Sequence, residues 1–223
     1  MSSEGWLRTD EHYDVLSSTD ILAFVAPTLA KNQFRWKWAI LAAQNAVQGA
    51  LVCAIQDSSK TNILSKRSAR EALSWLGAPT NEWPEPHLAD FKSLLTKFQD
   101  RYPNSIDDER VSSLEKLHNI FRNRFAHFVP RGWSIEIDML PPLIIAAVDF
   151  VEIAMRQDQV TIQRRKSNTL ARRRAWTGCG AVGKITCPTH TAETFCSKVA
   201  TQATIRSRSW RRWDQPTKMS LID

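Results

Sequence analysis

The residues best equipped for chemistry lie together in FRNRFAHF, residues 121–128, which sets Arg122 and Asn123 just ahead of His127. Histidine titrates near neutrality, so His127 can move protons. Arginine keeps its charge and offers planar, paired donors that match the oxygens of a phosphate. Asn123 beside them can orient the pair. Those types together suit proton transfer at a phosphate, with the guanidinium stabilising the charge that develops. Glu115, His118 and Arg122 stand at i, i+3 and i+7, on one flank of a helix. They fit two roles, a set that holds Arg122 in place or a solvated ladder of charges. The motif itself has two readings as well. Cations in the last turns of a helix also interact favourably with its carbonyl end, with no chemistry required.

The element that must position these residues is a helix. Val111, Leu114, Leu117, Phe121, Phe125 and Phe128 recur at three- and four-residue intervals, the period of one apolar helical face. Asp107 or Asp108 can cap its start. Pro130 disfavours helical geometry at Val129 and should end it there. At about 100° per residue, Arg122 and His127 point about 140° apart on one regular helix. The expectation is that the helix distorts near Pro130, or that residues from two chains meet.

The surrounding body reads as all-α. Asn32 can cap a long helix through Phe34, Trp38, Leu41, Val47, Leu51, Val52 and Ile55, whose Ala-rich middle would let a neighbour approach closely. Shorter helices are expected over Ser65 to Leu76, stopped by GAP at 77–79, and along the stripe Leu88, Phe91, Leu94, Leu95 and Phe98. Pro141 and Pro142 suit the first turn of a helix through Leu143, Ile144, Ala147, Val148, Val151 and Ala154. Between these last helices WSIEIDM alternates like a short extended segment, which would need a pairing partner. Trp36, Trp38, Trp75, Trp83 and Trp133 are expected as core or interface aromatics.

The motif and the wider phrase LHNIFRNRFAHFVPRGWSIEIDMLPPLIIAAVDFVEIA resemble the HEPN superfamily of small helical domains. Its hallmark is Arg, commonly followed by a polar residue, with four to six residues before His. The resemblance covers residues 20–157 and is of the type carried by bacteria, plasmids and phages. It implies an antiparallel helical bundle that homodimerises, so that two sets of Arg122, Asn123 and His127 line a shared cleft and cleave RNA without a metal. His127 would move protons, Arg122 would bind the phosphate, and Asn123 would orient the pair. Such a protein would act as a toxin or phage-defence effector, with an antitoxin or other partner protein. Many HEPN-like proteins are catalytically silent, so the resemblance equally implies a module for dimerisation or for binding a nucleotide or a partner protein.

Charge divides the chain. The formal net charge is +7, yet residues 160–223 carry 13 Lys and Arg against 3 Asp and Glu, so the basicity lies wholly in the tail. An electrostatic case for nucleic-acid binding therefore belongs to the tail. We expect a helical domain over 12–157 and a basic, disordered tail over 158–223, where few aliphatic residues are mixed with Arg, Thr and Ser. An out-of-frame extension would look similar. In that tail Trp176, Trp210 and Trp213 lie among arginines that can contact phosphates. Cys179, Cys187, His190 and Cys196 have zinc-ligand chemistry but lack paired Cys-x-x-Cys spacing. No metal and no cofactor is expected. Glycine-rich phosphate loops, Gly-x-Ser-x-Gly and His-Glu-x-x-His are missing, which removes most standard enzyme classes. The first residues lack a signal-peptide pattern, and polar groups such as Gln44, Asn45, Gln48, Asp149 and Glu152 interrupt the two apolar runs. A cytoplasmic location without membrane insertion is expected.

Overall fold

A computed structural model describes residues 9–79, 82–127 and 132–157, and these form an all-α body. The basic tail, its Cys and Trp residues, and Phe128 to Arg131 lie outside the described residues. The helices are α1 (Glu11–Val25), α2 (Trp36–Ile55), α3 (Lys66–Gly77), α4 (Phe91–Arg101), α5 (Asp108–Lys116), α6 (Asn123–Ala126) and α7 (Leu140–Met155). A π-helical segment, Leu117–Arg122, joins α5 to α6.

The fold is built around α2. Its small residues Ala39, Ala42, Ala43, Ala46 and Ala50 are all buried, so the helices around it come close to its backbone. α1 runs antiparallel to it: Glu11 reaches Lys60 just past the end of α2, while Val15 faces Gly49. α7 and α4 pack on other faces, and Phe98 of α4 meets Phe150 of α7 edge-on at 5.0 Å. The last carbonyls of α2 are satisfied by side chains. Tyr102 Oη and Arg101 Nη1 donate to Ala54 O and Ile55 O, each at 2.9 Å, and Asn62 Nδ2 also donates to Ile55 O. Gln33–Ile55, the 3₁₀ turn plus α2, is long and apolar enough to cross a bilayer, and 78% of an 18-residue stretch within it is buried inside the fold.

Caps fall where the residue types place them. Ser65 accepts from the Ser68 N–H at 3.2 Å and Asp107 from Arg110 at 2.7 Å, while Asn32, expected at the start of the long helix, caps the 3₁₀ turn Gln33–Arg35 that leads into α2, accepting from the Phe34 N–H at 3.0 Å. One helix was not anticipated, and two expectations need correction. α1 begins the body as a full helix capped by Asp10, burying Val15, Leu22 and Val25 with Ser18. Leu88 lies outside α4 and forms an isolated antiparallel bridge with Leu64. In WSIEIDM no residue joins a strand: Trp133 and Ile135 pack inward on the core, and Ile137–Met139 already turns as 3₁₀ helix before the prolines of α7. Alternation there reflects two apolar contacts and not a ladder. Of the tryptophans, Trp36 is buried and Trp133 partly so, while Trp38 and Trp83 are exposed.

Candidate active site

The helix that carries the motif starts regularly at Asp108, with Asp107 as its cap and Leu114 buried in the core. From Leu117 it widens. The N–H of Asn123 donates to the carbonyl of His118, five residues back, where an α-helix would use the carbonyl of Asn119, four residues back. Leu117 and Phe121 stay buried through this wide turn. One short α turn follows, closed by the N–H of His127 on Asn123 O at 2.9 Å. His127 then leaves the helix with φ −104° and ψ 94°. The helix thus ends at Ala126, a few residues before Val129.

Arg122 and His127 meet within one chain. Arg122 Nη1 lies 3.1 Å from Asn123 Oδ1, to which it donates, and 3.4 Å from His127 Nε2. The expected divergence of about 140° concerned the directions of two Cβ atoms. Arginine's long side chain spans that angle, and the helix stops before another turn can stand in the way. For Nε2 to accept from a guanidinium it must carry no proton, which selects the Nδ1–H form of the ring in this geometry. Arg122 and Asn123 are half-buried, whereas His127 is exposed. No carboxylate pairs with Arg122 among the described residues. Its charge is therefore met by neutral groups and is open to an anion.

The neighbouring aromatics brace the other side of the helix. Trp133 packs on Phe125 and Phe121, with ring centroids 5.0 and 6.3 Å away, and the Arg124 guanidinium lies 5.1 Å from the same indole. Trp133 thus supports the helix without covering His127.

The two companions separate. Glu115 is partly buried and makes no ion pair among the described residues, so nothing joins it to Arg122. His118 is connected on several sides. Its ring stacks on Phe91, with centroids 4.4 Å and planes 7° apart, and its Nδ1 lies 2.9 Å from Gln44 Nε2. Burial pushes the His118 pKa down from the usual histidine value, the charge of Arg122 adds to this, and Asp90 opposes it. Gln44 is the residue that reading the sequence missed as part of this region. It is fully buried, and its Oε1 has no partner among the described residues. Its signal was present: a glutamine in the Ala-rich middle of a core helix needs a polar partner.

Comparison of the chain with protein-family models, with curated proteins and with solved structures finds no match in any of the three. No cluster of three or more His, Cys, Asp or Glu side chains suited to a metal occurs among the described residues.

Proposed function

We propose that this protein is a HEPN-like endoribonuclease that cleaves RNA at Arg122, Asn123 and His127. The observation that carries the reading is the motif's geometry: a half-buried guanidinium with no acidic partner among the described residues, held by Asn123, next to an exposed imidazole at 3.4 Å. A phosphate arriving from solvent would accept hydrogen bonds from that guanidinium, displacing the Nη1 contact to His127. The freed Nε2 can then take the proton of the ribose 2′-OH as its oxygen attacks the adjacent phosphorus. The P–O5′ bond breaks, the 5′-oxygen receives a proton, and the products are a 2′,3′-cyclic phosphate and a 5′-hydroxyl. Arg122 stabilises the extra negative charge on the phosphoryl oxygens. No step draws on a metal.

Each chain supplies one His127, while the reaction has one proton to remove and one to deliver. A homodimer presenting two motifs to one RNA divides those tasks, in keeping with the resemblance that residues 121–128 carry. A role as toxin or defence effector, with an antitoxin partner, belongs to the same proposal.

The test is cleavage of RNA in excess EDTA by purified protein, with end-group analysis of the products. Cyclic-phosphate ends, lost in His127→Ala and Arg122→Ala variants that still fold, are the expected result. Wild type that cuts no RNA under varied conditions, or His127→Ala that cuts equally well, overturns it in favour of a silent binding module.

A further inference from the structure

We propose that Gln44 and His118 form a buried positioning pair for Arg122, Asn123 and His127. Gln44 is fully buried on α2, where an unpaired amide is costly. Its Nε2 meets His118 Nδ1 at 2.9 Å, and the same ring lies flat on Phe91 at the start of α4. The backbone of His118 is committed as well, because its carbonyl accepts the N–H of Asn123 across the wide turn. One residue is thus fixed by its side chain to two other helices and by its main chain to the motif.

An i→i+5 turn is uncommon and persists where neighbouring contacts hold it. Gln44 and Phe91 provide such contacts at the first turn of the π segment. If the segment relaxed to α geometry, the residues after it would rotate by about one residue's step, about 100°. That rotation would carry Arg122 and His127 to another face of the helix. Gln44 Oε1, which has no partner among the described residues, adds a second feature. By turning over, the amide can accept from a ring that presents Nδ1–H, so the pairing survives either tautomer of His118.

The activity arm of the test rests on the ribonuclease reading; the spectroscopic arm does not. Three full-length variants separate positioning from packing. Gln44→Leu removes the amide, His118→Phe keeps a flat ring on Phe91 without an acceptor, and His118→Asn gives up the ring but keeps an acceptor near the place of Nδ1. Folding is checked by circular dichroism and thermal midpoint. Gln44→Leu and His118→Phe are expected to lower kcat for an RNA oligonucleotide about ten- to a hundred-fold, the scale of a misplaced reacting group. KM should stay within about two-fold, and His118→Asn should retain most of kcat. The reverse order, with Phe active and Asn impaired, overturns the proposal, as does wild-type kcat in folded His118→Phe. If wild type cuts no RNA, the ribonuclease reading fails by itself, and nitrogen NMR of the Arg122 guanidinium and His127 ring decides. Those signals should shift in Gln44→Leu and His118→Phe and hold in His118→Asn; unchanged signals in all three overturn the proposal. Should the variants not fold, hydrogen exchange of the Gln44 side-chain amide in wild type remains: protection is expected, and exchange at the free rate refutes it.

Discussion

Replacing Gly49 by Ala tests how closely α1 and α2 are packed. A Cβ at that position would stand 2.7 Å from Val15 Cγ2, 3.4 Å from Glu11 O and 3.6 Å from Asp14 Oδ2. The first distance is well inside van der Waals contact. Val15 is fully buried and β-branched, so it has one strongly preferred rotamer in a helix and no room to turn aside. Overpacking of this kind costs roughly 1–3 kcal/mol. Exchanging Gly for Ala within a helix returns about 1 kcal/mol. The net expectation is a destabilisation of about 1 kcal/mol, or about 2–4 °C in Tm for a chain of this size. Urea denaturation of wild type, Gly49→Ala, Val15→Ala and the double variant isolates the contact. In the Val15→Ala background the overlap is gone, and Gly49→Ala should become stabilising. Stabilisation by Gly49→Ala in the wild-type background would refute this packing.

Acidification should destabilise the fold through His118. Its pKa is lowered on folding, so the unfolded chain binds the proton first, and stability falls as pH drops below the ordinary histidine value of about 6.5; denaturation at a series of pH values should show a shallower loss in His118→Asn. Asp107→Ala removes the cap on the Arg110 N–H and should cost about 1 kcal/mol in urea denaturation. Cys53 is fully buried, and burial together with Glu11 and Asp10 pushes its thiol pKa far up, so iodoacetamide should modify it in urea and spare it in the native protein, as peptide mass mapping would show.

Much of this arrangement could be read from residue types. α2, α3, α5 and α7 declared themselves because their apolar residues recur with the helical period and Ser, Asp, Asn or Pro sits at the start. α1 did not, because apolar residues lie on both of its faces: Val15, Leu22 and Val25 are buried beside Ser18, while Ile21 and Phe24 face outward. The π segment left no trace in the sequence. Leu114, Leu117 and Phe121 satisfy an α pattern, and the widening depends on contacts with α2 and α4 that lie far away in the chain. For the same reason Arg122, Asn123 and His127 were identifiable by type, but their meeting within one chain was not. It depends on where the helix stops and on the reach of an arginine side chain. Glu115 shows the limit of spacing arguments, since a shared helical flank gave it no contact with Arg122.

The central claim is that Arg122 and His127 form a working site, and RNA cleavage in EDTA tests it most directly. A defined oligoribonucleotide, incubated with wild type, His127→Ala and Arg122→Ala at matched folded concentrations, should yield 2′,3′-cyclic phosphate ends with wild type only. Loss of a proton-transfer group or of the phosphate's cation should each slow the reaction by about a hundred-fold or more. Intact RNA in every reaction, or equal cleavage by wild type and His127→Ala, would contradict it.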